Sequence, residues 1–169
     1  MNARLSRPIS VRRLHKEETV DIEATAEERE TIAEALDLLT LDRLVARLTL
    51  KPWRSEGVSV AGTVEGDVTQ ACVVTLEPVP AVVKEDIHVR LHPDAGPVSV
   101  TVDVDPDEPD PPELLDSDTV DVGAIALEHF VLGLPTYPRA PGVAFEAPEP
   151  EEEEPSPFAV LASLKNNKS

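Results

Sequence analysis

The sequence has very little of the chemistry that disulfide-stapled or metal-binding domains use. Cys72 is the one cysteine among 169 residues, so no disulfide can form within the chain. A zinc site needs about four nitrogen or sulfur ligands. His88 and His92 lie on a predicted strand, which would hold their positions about 13 Å apart, too far for one ion. We therefore expect no metal and no cofactor, and we interpret both histidines as surface residues.

Sequence motifs of catalysis are missing too. There is no G-x-S-x-G motif, and the seven glycines are scattered rather than gathered in a phosphate-binding loop. A cysteine nucleophile needs a histidine beside it, whereas Cys72 ends a predicted strand among valine and alanine, where a small buried thiol is the usual outcome. We predict a binding protein rather than an enzyme. A thiol-dependent enzyme at Cys72, or a ribonuclease, is the competing hypothesis.

Long apolar runs are absent as well. No stretch approaches the ~20 apolar residues of a membrane span, and residues 1–16 contain no apolar run of signal-peptide length. We expect a cytoplasmic protein without a membrane partner. Aromatic residues make up 3% of the chain and hydrophobic residues 41%, so the core must be built from aliphatic side chains.

Acidic residues are abundant and unevenly placed. The formal net charge is −18, which argues against DNA and against general nucleic-acid binding by the whole surface, because carboxylates repel phosphates. A local basic site remains compatible with this charge, and so does a strongly basic partner, although solubility alone is the simpler explanation. Residues 103–118 and 149–154 combine the acidic runs with much of the proline, which predicts an exposed loop and linker.

Periodicity predicts an α+β fold. Thr25 and Glu28 form a capping box at the start of a helix, and Ile32, Leu36 and Leu39 give that helix one apolar face. Alternation of apolar and polar residues then predicts strands whose short connections favour an antiparallel meander. The predicted strands cover residues 44–51, 58–64 and 82–91, with a short strand at 8–12 and an edge strand at 98–104.

A second helix is predicted after the acidic loop. Asp121 is suited to cap its first turn, and Pro135 stops it. The run from Ala124 to Leu134 is apolar nearly all round, so we expect this helix to be deeply buried. Glu128 interrupts that run, and we interpret it as a residue of the helix rim or a salt bridge rather than a catalytic group.

Two regions follow from these patterns. Residues 1–145 should form a single α+β domain, an antiparallel sheet of about five strands covered by two main helices, with an acidic proline-rich loop and tail. Residues 146–169 should form an acidic linker and a short C-terminal helix, since Ser156 and Pro157 are typical of a helix start. Phe158, Leu161 and Leu164 fall on one side of that helix. It either docks on its own domain or binds a partner as a linear motif.

One predicted strand carries a basic patch. Arg43, Arg47 and Lys51 share its polar face, and Trp53 and Arg54 follow at its end. An aromatic ring beside arginines can stack on an unpaired RNA base. The alternative is an ordinary solvent-facing strand with Trp53 packed at its rim.

Several segments together resemble the YceD family, the large-ribosomal-RNA-subunit accumulation proteins. They are Gly57-Val58-x-Val60-x-Gly62, Val68 to Cys72, Asp121-Val122 to Glu128 with Leu134-Pro135, and the tail from Pro157 to Lys165. The resemblance implies a non-catalytic role in accumulation of large-subunit ribosomal RNA, through processing, stability or early assembly. It also marks Cys72, Asp121, Glu128 and Pro135 as family-motif positions.

The chain departs from the family pattern at one place. Many members carry a C-x-x-C pair at the strand end and a further cysteine near the C-terminal region. Here Cys72 matches the first position, Thr75 replaces the second, and no later cysteine follows. This resembles an alphaproteobacterial-type variant, and any zinc site built on the pair is lost.

Two binding mechanisms fit both the charge and the resemblance. In the first, ribosomal RNA docks on the patch of Arg43, Arg47, Lys51, Trp53 and Arg54. In the second, the acidic loop and tail hold a basic ribosomal protein until RNA competes it away, with an encounter that salt would weaken. The second is preferred on sequence alone because it uses the dominant feature of the chain. A structural adaptor acting through Phe158, Leu161 and Leu164 is the alternative class.

Overall fold

The computed structural model describes residues 4–95 and 111–144. Within these ranges the chain forms seven strands and two α-helices, with a turn of 3-10 helix after the first strand. Their bounds are β1 (Pro8–Ser10), β2 (Glu18–Glu23), α1 (Ala26–Ala35), β3 (Thr40–Trp53), β4 (Gly57–Ala71), β5 (Pro78–His92), β6 (Glu113–Leu114), β7 (Thr119–Asp121) and α2 (Val122–Leu132).

The main sheet has five strands in the order β2-β3-β4-β5-β6. All neighbours are antiparallel except β5 and β6, which are parallel, and β1 pairs with β7 in a separate antiparallel ribbon. The predicted α+β fold with about five sheet strands and two helices is confirmed. The sequence patterns did not predict β2, β6 or β7, and the edge strand predicted at 98–104 lies outside the described residues.

The core occupies one face of this sheet. Alternate residues of β3, β4 and β5 are buried, among them Leu48, Val60 and Ile87, while the residues between them are exposed or half-buried. Helices α1 and α2 pack on this buried side. Phe130 of α2 lies over Gly66, where a Cβ atom would come within 2.5 Å of the ring. The glycine therefore makes room for the one aromatic side chain of the described core.

Helix α2 is less buried than its composition predicts. Ala126, Leu127 and Phe130 are buried, but Leu132 is 76% exposed and Glu128 lies on the solvent side. The expectation of deep burial is therefore wrong for one side of the helix. The reason is geometric, because a helix packed on a single sheet face buries one stripe whatever the hydrophobicity of the rest.

Asp121 joins the start of α2 to the N-terminal segment. Its Oδ1 accepts hydrogen bonds from the backbone N–H groups of Gly123 (3.1 Å), Ala124 (3.2 Å) and Arg7 (2.7 Å), and its Oδ2 accepts from Ser6 Oγ at 2.6 Å. Burial raises the pKa of this carboxyl, but the four hydrogen bonds together outweigh burial and leave the pKa below its ordinary value. The predicted N-cap is present and also anchors the chain before β1.

The capping box of α1 is likewise tied to the N-terminal segment. Thr25 Oγ1 accepts from the Glu28 backbone N–H at 3.2 Å, and Glu28 Oε2 accepts from the Thr25 backbone N–H at 2.9 Å. Arg7 donates to both carboxylate oxygens of Glu28, at 2.8 and 3.0 Å. This bidentate hydrogen bonding from Arg7 lowers the pKa of Glu28 to about 2.

Replacing Glu28 with glutamine should destabilise the fold by about 1–2 kcal/mol at neutral pH, because charge-assisted hydrogen bonds to Arg7 and Thr25 are weakened. The pKa of Glu28 is depressed in the folded state, so its contribution is complete above the ordinary value of 4.5 and is lost as pH falls towards about 2. The stability gap between wild type and Glu28→Gln should therefore close across that window. Urea unfolding at several pH values measures it.

The matched control is Glu27→Gln, an exposed glutamate in the same helical turn. It should cost no more than a few tenths of a kcal/mol through the helix dipole. Equal losses for the two variants, or a gap that stays constant down to the most acidic pH, would contradict the assignment.

Candidate functional site

The predicted basic patch lies on the solvent-facing side of β3, but its first three cations are partly neutralised. Arg43, Arg47 and Lys51 each contact a carboxylate on the same sheet face or next to it. The contacts are Arg43 with Glu65 at 3.4 Å, Arg47 with Asp21 at 2.7 Å and Lys51 with Glu17 at 3.0 Å. Such exposed pairs are worth about 0–1 kcal/mol. A phosphate can therefore compete for these cations, but they do not form an unopposed positive surface.

The end of β3 is different, because two arginine side chains lie close to an aromatic ring there. The guanidinium carbon of Arg54 lies 4.2 Å from the centre of the Trp53 ring, and that of Arg90 lies 5.8 Å away. His92 meets the same ring edge to face, with centroids 5.9 Å apart. Cations within about 6 Å of an indole are attracted by its ring quadrupole.

Gly57 explains how these groups meet across three strands. It lies opposite Trp53 in the β3–β4 register, and a Cβ atom on it would lie 2.9 Å from His92 Cδ2. The missing side chain lets the Trp53 and His92 rings approach one another over β4. The interpretation of His92 as a surface residue is therefore wrong: it is only 8% exposed, and its Nδ1 accepts from the Asp94 backbone N–H at 3.1 Å. His88 is exposed, as expected.

Arg54 has an unusual backbone conformation. It begins the three-residue turn between β3 and β4 and has a φ of +54°. The left-handed region costs a residue with a Cβ atom about 1–2 kcal/mol relative to the right-handed one. Backbone strain of this kind is often found at functional sites. In this structure, the residue with the left-handed backbone conformation is the one whose guanidinium lies over the Trp53 ring.

The register between β4 and β5 adds a second arginine that the sequence patterns did not identify. Ser59 lies opposite Lys51 on one side and opposite Arg90 on the other. We call Lys51, Trp53, Arg54, Arg90 and His92 the Trp53 cluster. The alternation of residues within β5 indicates that Arg90 lies on the solvent-facing side of the sheet. Its position near the Trp53 ring becomes apparent only when β3 and β5 are both paired with β4.

A cleft of about 460 Å³ lies next to the β3–β4 turn. Its lining includes Arg12, His15 and Arg54, but also Glu56, Asp116 and Asp118. Arg12 and Asp118 form an ion pair at 2.9 Å. The mixed charge of this cleft does not extend the cationic surface around Trp53.

Cys72 is a buried structural residue in this conformation. Its side chain is fully buried, and its Sγ accepts from the Ala140 backbone N–H at 3.4 Å. The pKa of the thiol is lowered to about 6, first by the Thr75 hydroxyl and then by backbone N–H groups. That hydroxyl has a single proton and also lies 3.3 Å from Glu77 Oε2, so it serves one acceptor at a time. Burial keeps substrates away from the sulfur.

The remaining family-motif positions lie on or next to α2. Asp121 caps the helix, and Glu128 is exposed on its outer side, at the rim as predicted. The Pro135 carbonyl accepts from Gln70 Nε2 at 3.2 Å, which ties the segment after α2 to the end of β4. Phe158, Leu161 and Leu164 lie outside the described residues.

Two further observations apply to residues 4–95 and 111–144. This part of the chain contains no cluster of three or more His, Cys, Asp or Glu residues that could hold a metal ion. None of its helices has both the length and the apolar character needed to cross a membrane.

Cys72 should react with a thiol reagent such as DTNB at least about tenfold more slowly in the native protein than in the unfolded protein, because labelling requires local opening. This holds although the lowered pKa favours the reactive thiolate at neutral pH. A Cys72→Ala variant should unfold at lower denaturant concentration yet support growth and large-subunit levels as the wild type does. Rapid native labelling, or loss of function without loss of stability, would restore the thiol-enzyme hypothesis.

Comparison with known proteins agrees with the resemblance noted in the sequence. Residues 60–165, more than half of the chain, match the model of the family described as Large ribosomal RNA subunit accumulation protein YceD. No curated protein and no solved structure matches. The matched stretch contains Arg90, His92 and α2 but begins after Trp53 and Arg54, so those two residues are not covered by it. The chain belongs to the YceD family of large ribosomal RNA subunit accumulation proteins.

Proposed function

We propose that this protein supports accumulation of large-subunit ribosomal RNA in the cytoplasm by binding that RNA directly at the Trp53 cluster. The family description supports the role in accumulation. The observation that supports direct binding is the placement of Arg54 and Arg90 around the Trp53 ring on the solvent-facing side of the sheet. Arginine and an aromatic ring together recognise a phosphate and a base face.

The large negative charge does not prevent local binding. Residues 4–95 and 111–144 contain 13 basic and 22 acidic side chains, which gives this part of the chain a net charge of 13 − 22 = −9. On the outer face of β4, Glu65 follows Ser59 by six residues, about 20 Å at ~3.3 Å per residue. The Debye length is only about 8 Å at physiological salt. Charges at the far end of the sheet are therefore largely screened from the Trp53 cluster.

Nearby carboxylates limit the affinity. Glu17 pairs with Lys51, and Glu56 and Asp94 lie in the turns at the same end of the sheet. Within the Trp53 cluster, the cations that can contact phosphates are Lys51, Arg54 and Arg90. Three contacts with single-stranded RNA correspond to a slope of about −2 in a plot of log K against log salt concentration. The expected complex is weak and salt-sensitive.

The binding of a basic ribosomal protein by the acidic segments is the main alternative. The acidic loop at 103–118 and the acidic run at 149–154 would hold such a protein; residues 103–110 and 149–154 lie outside the described residues, whereas Glu113, Asp116 and Asp118 lie within them. The contacts within the described part of the chain favour the RNA mechanism, which reverses the preference drawn from the sequence alone. Docking of a partner through Phe158, Leu161 and Leu164 is a separate hypothesis that deletion of residues 155–169 tests.

Replacing Arg54 with glycine and Arg90 with alanine should each weaken binding to a fluorescently labelled large-subunit ribosomal RNA transcript about fivefold to tenfold, because each change removes one phosphate contact. Arg54→Gly should keep the wild-type melting temperature within a few degrees, since glycine adopts a φ of +54° without steric cost. Loss of binding is thereby separated from loss of folding. Fluorescence anisotropy at several salt concentrations provides the affinities and the slope.

The control is Arg139→Ala, an exposed arginine outside the cluster. It changes the net charge by the same amount as Arg90→Ala and should leave binding almost unchanged. Equal effects of the two variants would show that net charge, rather than the Trp53 cluster, determines affinity. A pull-down at low salt that recovers basic ribosomal proteins and no RNA would overturn the proposal in favour of the alternative.

A further inference from the structure

We infer that the Trp53 cluster takes a single-stranded segment of RNA, laid along the outer face of β4, and discriminates against duplex RNA. This inference rests on the proposed function and specifies the class of ligand. Its basis is the shape of the solvent-facing side of the sheet, where the central strand carries small residues and the two flanking strands carry rings and cations.

The floor of the site is formed by the outward-facing residues of β4. These residues are Ser59, Ala61 and Thr63, because Gly57 at one end is buried where the Trp53 and His92 rings meet. They span about 13 Å at ~3.3 Å per residue, and the flanking strands lie about 10 Å apart at ~4.8 Å per strand spacing. We call this surface the β4 groove. It is long and narrow enough for one strand of extended polynucleotide.

The walls of the β4 groove follow from the strand register. Lys51 and Arg90 both lie opposite Ser59, and Thr49 and His88 both lie opposite Ala61. Trp53 lies opposite Gly57, with the His92 ring against its edge. Each wall therefore offers hydrogen-bond donors, and one end of the groove offers an aromatic ring.

Paired charges of both signs occupy the other end of the β4 groove. Thr63 lies opposite Asp86 on one side and opposite Arg47 on the other, and the next outward residue of β4 is Glu65, which pairs with Lys84 at 2.8 Å and with Arg43 at 3.4 Å. Because the cations at that end already pair with carboxylates, a phosphate gains little there and the productive length is short. A groove of this length resembles the sheet surface on which an RRM stacks two or three bases.

The small number of cations determines which form of RNA is bound. Duplex recognition depends on many phosphate and 2′-hydroxyl contacts across the minor groove, with the bases stacked inside the helix. Three cations on a protein of net charge −18 supply few of those contacts. A single strand gains in addition from stacking of an exposed base, which contributes a factor of roughly 5 to 150 per base. Trp53 can supply this term only to an unpaired nucleotide.

The test compares an unstructured, fluorescein-labelled RNA of about ten nucleotides, within the usual site sizes for single-strand binding, with the same strand annealed to its complement. The full-length protein should bind the single strand at least about tenfold more tightly. Trp53→Ala should weaken single-strand binding by roughly 5- to 150-fold, and Trp53→Phe, which keeps a ring, should weaken it less. Trp53 is the only tryptophan, so its emission in the wild type reports contact directly.

A second pair of variants tests the β4 groove without altering the ring. Ala61→Glu places a carboxylate on the groove floor, whereas Val82→Glu adds the same charge on the outer face of β5, opposite Asp67 and outside the groove. Ala61→Glu should weaken single-strand binding at least about tenfold through bulk and repulsion of phosphate, and Val82→Glu should leave it almost unchanged. Thermal unfolding of each variant confirms that it is folded.

The possible results separate the inference from the proposed function. Equal affinity for single strand and duplex, with dependence on Arg54 and Arg90 retained, would overturn the inference and leave the proposed function standing. Wild-type single-strand binding by Trp53→Ala, or equal effects of Ala61→Glu and Val82→Glu, would overturn the inference as well. Absence of binding to either RNA form, with unchanged Trp53 emission, would overturn both.

Discussion

The register between β3 and β4 is the constraint on which the rest of the structure depends. On the buried face, Leu44 lies opposite Gly66 and Leu48 lies opposite Gly62, so large side chains of one strand face glycines of the other. A Cβ atom on Gly62 would clash with the backbone at Arg47 and Leu48. A slip by one residue would turn arginines and a lysine towards the core, and burying unpaired charge is very costly. The positions of the glycines and the alternation of apolar and polar residues thus both specify the same register between β3 and β4.

The same register determines the outer face, because side chains of a strand alternate between its two sides. Once Leu50 lies opposite Val60 in the core, Lys51 must lie opposite Ser59 and Trp53 opposite Gly57. Contacts on the outer face are worth about 1 kcal/mol or less each, whereas large buried side chains are worth several times that. The outer face can therefore exchange an ion pair for a phosphate contact without endangering the fold.

Features that depend on residues close together in the sequence, such as the helix caps, were predictable from the sequence. The caps at Thr25 and Asp121 depend on residues two or three positions away, and both were predictable from the sequence. Long alternation predicted β3, β4 and β5. The burial of His92, the ion pairs of Arg43 and Arg47, and the place of Arg90 beside Trp53 depend on which residue of a distant strand lies opposite. No periodicity within one segment contains that information, so a patch of neighbouring cations was predicted where the fold assembles a cluster from two strands.

Negative charge and a small cationic site are consistent with one another in the proposed mode of binding. In that mode, the net charge of −18 would repel folded, phosphate-rich RNA and so lower the affinity for every site that lacks an unpaired base. Stacking on Trp53 would then decide between RNA segments, since it is the favourable term that a duplex cannot obtain. Because the Trp53 cluster would attract RNA through three cations, the proposed complex would dissociate readily when the unpaired segment becomes base-paired. RNA folding during assembly would thereby release the protein without any chemical step.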